Sequence, residues 1–191
     1  LGIEGTSLGL GEYLIMNEEN LRSLKEIIAD RDNRKKGEDF EKFYAEVLRR
    51  KDYEQVYRME DLMNQGIVSF PGGYGDGGTD IVAKKGNNLL LVQNTCLKNA
   101  VVNVKSVIDF MGRAPLVMEK LKLSKLITGK EHLTLEYITT SSFTPHCHEL
   151  EEATPNLTLI NKDKLAELIK GREPSSYAKI VEAKATNKTG I

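Results

Sequence analysis

The chain has 191 residues, of which 40% are hydrophobic and 29% charged, and this composition excludes a disordered or fibrous protein and predicts one sizeable core. The formal net charge is −1, which excludes a globally basic nucleic-acid binder and leaves only local charge to support such a role. Because the two cysteines lack CxxC spacing and no apolar stretch is long enough to span a bilayer, we expect an intracellular, cytoplasmic protein without a membrane segment.

Two helices separated by a charged linker are predicted in the first quarter of the chain. Asn17 is a candidate N-cap, and the apolar residues after it recur on one helical face: Leu21, Leu24, Ile27 and Ile28. The linker is expected over residues 30–36. The second helix is expected to open at Gly37, and its apolar residues recur in steps of three and four: Phe40, Phe43 or Tyr44, Val47 and Leu48.

These elements suggest a simple domain organisation. We expect an N-terminal extension and helix over residues 1–36, one domain over residues 37–172 and a polar tail over residues 173–191. Early in the domain the pattern is ambiguous, and we expect three short elements there: a strand near residues 54–58, a helical turn near 61–65 and an extended piece over 67–70.

A β-hairpin that presents a carboxylate is the most informative local feature. Apolar runs lie on both sides of Gly86 and Asn87, two residues that tolerate the positive φ of a two-residue turn. Counting back along both strands places Asp80 opposite Gln93. Directly opposed residues project from the same face with Cβ atoms roughly 5 Å apart, so two oxygen-bearing side chains can begin a divalent-metal site.

The second half of the chain alternates helices and strands. The expected elements are a helix over residues 100–111 ending near Gly112, a short helix over 116–126, a strand over 133–140, a helix over 145–152, a strand over 157–160 and a helix over 162–170 stopped at Gly171. This order predicts the α/β class, with a mixed β-sheet flanked by helices on both faces.

Two other motifs do not indicate a cofactor or metal site. Residues 73–78 match GxGxxG, but a strand and a turn follow where a dinucleotide fold needs a helix, and there is no Gly-Lys-Ser/Thr, so no nucleotide cofactor is expected. His146, Cys147 and His148 stand at adjacent and alternate positions near a helix start, where they cannot converge on one ion. We expect them to be surface or packing residues.

Five landmarks, in this order, resemble the Mrr-like branch of the PD-(D/E)XK nuclease superfamily. They are Gly37-x-x-Phe40-Glu41, Gly-Asp-Gly-Gly-Thr-Asp-Ile at 75–81, an apolar strand ending in Gln93, the hydroxyl-rich run 139–144, and Leu159-Ile160-Asn161-Lys162-x-x-Leu165. Holliday-junction-resolving enzymes of the same superfamily share the helix-borne glutamate and the Asp-Ile-Val-Ala strand, so that branch stays open. The resemblance implies a restriction-endonuclease-like fold and metal-dependent endonuclease activity on duplex or branched DNA.

The resemblance also implies roles for individual residues. Asp80 would be the central metal-bridging carboxylate, and Gln93 stands where many relatives have glutamate. Glu41, on the helix, would be the supporting carboxylate. With the carbonyl of Asn94, these hard oxygen ligands suit Mg²⁺ or Mn²⁺. Because cutting both strands or resolving a junction requires two sites in a fixed relation, we also expect a homodimer.

The chain departs from the family pattern at Thr95, where such nucleases usually have a lysine. One interpretation is that Lys98, just past the strand, or Lys105, on the next helix, takes over its role. The other is that the protein is a catalytically inactive DNA-binding module that keeps the nuclease fold. Residues 98–130 carry seven basic and two acidic side chains, a local excess that fits DNA binding in either case but is equally typical of a solvated helix face.

Overall fold

The computed structural model describes residues 24–72, 75 and 77–169. Their helices and strands, in chain order, are α1 (residues 24–29), α2 (Asn33–Arg50), β1 (Gln55–Arg58), α3 (Met59–Asn64), β2 (Ile81–Lys85), β3 (Asn88–Thr95), β4 (Val101–Val102), α4 (Val104–Leu123), β5 (His132–Thr139), β6 (Ser142–Phe143), α5 (Pro145–Ala153), β7 (Leu157–Ile160) and α6 (Lys162–Ile169). The predicted Asn17 cap, the stop at Gly171 and the polar tail lie outside these residues. In the described part of the chain, no helix combines the length and apolarity needed to cross a membrane.

Five strands form one mixed sheet in the order β1-β2-β3-β5-β7. The first two pairings are antiparallel, and β3 with β5 and β5 with β7 are parallel. Parallel neighbours need crossover connections, and α4 and α5 provide them. β4 and β6 form a separate two-stranded parallel sheet. The predicted α/β class with a mixed sheet is therefore confirmed.

Hydrophobic side chains cover both faces of the sheet. Along β3, Leu89 and Leu91 join a core cluster with α4, whereas Leu90 and Val92 join a second cluster with α2. We call these two sides the α4 face and the α2 face. Their alternation follows from the period of two along a strand, so each side chain near the end of β3 can be assigned to one face.

The hairpin has the predicted register. β2 and β3 pair from Lys85 with Asn88 to Ile81 with Val92, around a two-residue turn in which Gly86 has φ +55°. The pairing ends there, and one step further along β2 the backbone N–H of Asp80 donates to the carbonyl of Val92 at 2.8 Å. The turn and the alternating pattern are local, which is why the sequence determines this element well.

Helix boundaries differ from the prediction at the start of α2. This helix begins at Asn33 rather than at Gly37, because the side chain of Asp32 accepts hydrogen bonds from the backbone N–H groups of Arg34 and Lys35. Such a cap satisfies donors that would otherwise lack partners and lets the helix start inside the charged segment. The predicted linker is thus wrong for residues 33–36. The predicted extended piece over residues 67–70 does not join the sheet.

The two helices predicted over residues 100–126 are one. β4 occupies the start of that segment, Asn103 caps α4 by accepting from Ser106 N, and the helix then continues through Gly112 and Pro115. A proline inside a helix removes a hydrogen bond and costs roughly 3 kcal/mol. A continuous buried stripe offsets that cost: Val107, Phe110, Ala114, Val117 and Leu121.

Candidate active site

Asp80 and Gln93 meet at the end of the sheet where β2 begins. Gln93 Nε2 donates to Asp80 Oδ2 at 2.8 Å, and the backbone N–H of Asn94 donates to the same oxygen at 2.5 Å. Asp80 is 7% exposed. The structure therefore brings together the two side chains that the sequence pairs, and holds the carboxylate in a defined position.

A second oxygen completes this cluster. Gln93 Nε2 also lies 3.2 Å from the backbone carbonyl oxygen of Asn94, so one electropositive group contacts both a carboxylate and a carbonyl. Oxygen donors of this kind are preferred by Mg²⁺ and Mn²⁺, and the residues present therefore fit a hard divalent cation. Within the described ranges, no three His, Cys, Asp or Glu side chains gather in a metal-binding group. Such an ion would depend on neutral oxygens as well as on Asp80.

The opposite face carries polar groups at the same level. By strand parity the side chain of Asn94 lies on the α2 face, where Leu90 and Val92 also lie. Both amide atoms of Asn94 and the hydroxyl of Thr79 are buried, and among the residues that the structure describes they have no hydrogen-bond partner. Unpaired buried polar groups are rare and costly, so this end of the sheet is not optimised for packing alone.

Glu41 reaches the same end of the sheet from α2. Phe40 and Tyr44 anchor this helix, at 0% and 2% exposure, and Tyr44 Oη donates to Glu136 Oε1 on β5 at 2.5 Å. Glu41 lies between the two anchors in sequence and lines a groove of about 530 Å³ that Asp80 also lines. The groove thus collects both carboxylates that the sequence analysis proposes for the site.

This groove is acidic, and two arginines offset part of its charge: Arg34, which lines it, pairs with Glu38 at 3.0 Å, and Arg58 pairs with Glu41 and Glu60. Glu38 and Glu60 line it together with Glu41 and Asp80. Arg58 Nη2 lies 3.5 Å from Glu41 Oε2 and 2.7 Å from Glu60 Oε2, and its side chain is 11% exposed. Arg58 therefore positions Glu41 and offsets part of the negative charge. The remaining excess of carboxylates makes the groove suited to cations.

A comparison with known protein families matches residues 33–169 to Mrr_cat, a restriction endonuclease family. The matched segment covers most of the chain and includes every site residue described above. The chain belongs to this Mrr-like restriction endonuclease family. Membership confirms the resemblance to Mrr-like PD-(D/E)XK nucleases and the restriction-endonuclease-like fold class.

Two solved structures are similar to this Mrr-like domain. The small subunit of the heterodimeric restriction endonuclease R.BspD6I gives a TM-score of 0.48 at 12% identity, with 87% of each chain covered. The restriction endonuclease MspJI in complex with a 27-mer oligonucleotide gives 0.44 at 17% identity, with 98% of this chain and 39% of that chain covered. No curated protein matches the sequence significantly.

The Mrr-like domain has a pair of hydroxyls where the motif lysine is expected. Thr95 Oγ1 and Tyr137 Oη lie 2.9 Å apart on the α4 face. Burial raises the pKa of Tyr137, and the charge of Asp80 acts in the same direction, so the phenol stays neutral and lies within electrostatic range of Asp80. Position 95 therefore offers no positive charge to a phosphate.

The two lysines predicted as substitutes lie beyond the strand. Lys98 follows the end of β3 by three residues and is exposed. Lys105 is 80% exposed in the first turn of α4, with Nζ 2.5 Å from Asp109 Oδ2. Among the contacts of the described residues, neither lysine reaches Asp80 or Gln93. Their catalytic role stays a prediction.

Two other cations near the site were missed by the sequence analysis. Lys36, on α2, is 7% exposed and is the one buried lysine in the described part of the chain. Burial raises the pKa of the Cys96 thiol, just beyond β3, and the charge of Lys36 opposes that rise. Arg113, on α4, packs against Gly78, two residues before Asp80. The sequence carries only an indirect signal of this contact, because Gly78 leaves room for a side chain from a residue far along the chain.

The remaining motifs have structural roles. In the hydroxyl-rich run, Thr140 Oγ1 donates to the carbonyl of Leu97 at 2.8 Å and accepts from its N–H at 2.9 Å, which ties β5 to the segment after β3. His146 and His148 each face a glutamate on α5, at 3.9 and 3.7 Å, and Cys147 between them is buried. These three side chains do not converge, as predicted.

Proposed function

We propose that the chain is a divalent-metal-dependent endodeoxyribonuclease, a hydrolase that cleaves phosphodiester bonds in duplex or branched DNA. The observation that supports it most is the position of Gln93 Nε2, which contacts Asp80 Oδ2 and the carbonyl oxygen of Asn94 together. In a restriction endonuclease family member, this cluster is where an ion would be expected. Asp80, the Asn94 carbonyl and the Gln93 amide oxygen, once the Gln93 amide has rotated to exchange its nitrogen and oxygen, would hold Mg²⁺ or Mn²⁺, with Glu41 in support.

The charge of the groove supports a need for cations. Glu38, Glu41, Glu60 and Asp80 line it, Arg34 is already paired with Glu38, and Arg58 is already paired with Glu41 and Glu60. A phosphodiester carries a negative charge and is repelled by such a surface unless positive charge is added. Affinity for DNA at this groove should therefore rise when a divalent ion is present.

Each residue has a limited role in hydrolysis. When bound, the ion would neutralise phosphate charge and make a bound water more acidic. Asp80 is kept in place by the N–H of Asn94 and by Gln93, and Glu41 is kept in place by Arg58. These contacts fix the acceptor groups before substrate arrives, which lowers the cost of ordering them during reaction.

The direct test is cleavage by the protein and by an Asp80→Ala variant. Supercoiled plasmid and a synthetic four-way junction are incubated with Mg²⁺ or Mn²⁺, beside an EDTA control. We expect the parent to nick at least one substrate only with metal, and Asp80→Ala to lose roughly 100-fold or more of that activity. Asp163→Ala, which removes an exposed acid on α6, is the matched control. Full activity in the Asp80 variant would refute the proposed site.

The second candidate is a DNA-binding module without catalysis. The hydroxyl pair of Thr95 and Tyr137 favours it, because that position lacks the usual charge. Binding of plasmid or junction without nicking, in every metal condition, would support this second function over the first. In either case we propose DNA as the partner and a homodimer as the working form, and we keep residues 37–172 as the proposed domain.

A further inference from the structure

Arg113 lies directly over the glycine turn that leads to Asp80. A Cβ atom built on Gly78 would stand 3.1 Å from Arg113 Cδ and 3.2 Å from Arg113 Nη1. Gly78 has φ +70°, a conformation that glycine adopts without strain. Two residues of chain span at most about 7 Å, so the guanidinium is held close to the Asp80 backbone.

The neighbouring glycine fixes the same arrangement. A Cβ on Gly77 would stand 2.9 Å from Phe70 Cε1 and 3.0 Å from Val117 Cγ2, and Val117 follows Arg113 by one helical turn on α4. Val117 is fully buried at 0% exposure. The turn is therefore seated on α4 between a buried valine and an exposed arginine, which leaves the guanidinium at the surface beside the site.

Arg113 also lies on the appropriate face of the sheet. Gln93 shares the parity of Leu91, whose side chain packs with α4, and Gln93 Nε2 contacts Asp80 Oδ2. Thr95, in the place of the motif lysine, points to this face as well. By contrast, Lys36 comes from α2 on the other side. Of the cations found near the site, Arg113 is the one on the side where the lysine is missing.

The charge of Arg113 is available for a ligand. Its side chain is exposed, and among the residues that the structure describes no carboxylate lies within ion-pairing distance of it. Lys105 on the same helix is paired with Asp109, and Arg58 is paired with Glu41. A guanidinium stays protonated at all accessible pH values and binds phosphate through two N–H groups at once.

We propose that Arg113 contacts the phosphate at the cleavage site and supplies there the positive charge that Thr95 does not. This inference rests on the proposed nuclease function. The guanidinium stabilises negative charge on the phosphate oxygens, and it transfers no proton. Gly78 leaves room for Arg113 to approach the turn, and Gly77 leaves room for Phe70 and Val117.

The test compares Arg113→Ala, Arg113→Lys and Arg50→Ala in two assays. Arg50 is an exposed arginine at the end of α2 and lies far from Asp80. The carbonyl of the next residue, Lys51, accepts a hydrogen bond from Lys85. Lys85 is at the far end of the hairpin, roughly 15 Å along β2 from Asp80. Removal of Arg50 changes the net charge by the same amount as removal of Arg113. The first assay is metal-dependent nicking under saturating DNA. The second is DNA binding by fluorescence anisotropy at several salt concentrations, in EDTA.

We expect Arg113→Ala to lose roughly 100-fold in nicking rate and to keep the parent's melting temperature. The slope of log binding constant against log salt concentration should become shallower by about one released counterion in Arg113→Ala. Arg50→Ala should retain the parent's nicking rate and the parent's slope. Arg113→Lys should restore the salt slope and part of the rate. If Arg113 only stabilised the fold, its removal would not change the salt dependence of DNA binding.

Several outcomes would overturn the inference. If the parent cleaves and Arg113→Ala cleaves equally well, Arg113 is not the missing charge. A loss in Lys98→Ala or Lys105→Ala, with none in Arg113→Ala, would assign the role to the lysine instead. If the parent never cleaves, the proposed function fails, but the salt slope still decides whether Arg113 contacts phosphate. An unchanged slope in Arg113→Ala would then reject the contact as well.

Discussion

Glu136 should make the stability of this domain fall as pH rises from 4.5 to 8. It lies on β5 beneath α2, and burial raises its pKa from 4.5 to about 7, although the hydrogen bond from Tyr44 and the charge of Lys51 oppose that rise. Because the folded pKa exceeds the unfolded one, the stabilising contribution is fully present below pH 4.5 and is lost as pH rises through about 7. At 1.36 kcal/mol per pKa unit, the loss is about 3 kcal/mol.

The measurement is the free energy of unfolding by denaturant at pH 4.5, 6, 7 and 8. Glu136→Gln keeps the acceptor for Tyr44 and does not titrate, so its stability relative to the parent should increase by about 3 kcal/mol over this range. Glu152→Gln, an exposed site on α5, should follow the parent. Tyr44→Phe removes a contact that lowers the Glu136 pKa, and should steepen the loss. If the free energies of unfolding of the parent and of Glu136→Gln change in parallel from pH 4.5 to 8, this reasoning is refuted.

Two further predictions concern the glycine turn and the assembly. Gly78→Ala should destabilise the domain by roughly 1–2 kcal/mol because of its positive φ, and should lower nicking as Arg113→Ala does; a double-mutant cycle should show that the two losses in nicking rate are not additive. Additive losses in nicking rate would show that Gly78 and Arg113 act independently. If the protein is a homodimer, light scattering after size-exclusion chromatography should give twice the chain mass of 21.4 kDa, with or without DNA, and a monomer at micromolar concentration would contradict the expectation.

The parts of the site that the sequence predicted are those set by local rules. Gly86 and Asn87 define a turn, and the strands then count outward from it, so the meeting of Asp80 with Gln93 needs no knowledge of the rest of the fold. The apolar spacing that predicts α2 also places Glu41 beside its buried residues, although the helix begins earlier than predicted because of the Asp32 cap.

The cations around the site could not be predicted in this way. Arg113 meets Gly78 only because α4 crosses the end of the hairpin, and Arg58 meets Glu41 only because α2 packs against β1. Such contacts join residues far apart in sequence, and a helix or strand pattern does not specify them. The same limit applies to Pro115, which indicates a helix break until the buried stripe of α4 is known.

The distribution of charge also suggests how metal and DNA would bind. Within residues 24–72, 75 and 77–169, Asp80 is the one carboxylate in direct contact with the Gln93 and Asn94 groups, whereas Glu41 is already paired with Arg58. A site with a single firm carboxylate should hold a divalent ion weakly, since affinity for such ions rises with the number of charged ligands. Phosphate oxygens of DNA would add the missing negative ligands, and Arg113 would hold the same strand from the α4 face. Metal and DNA should therefore each strengthen the binding of the other, by the reciprocity that couples any two ligands of one protein.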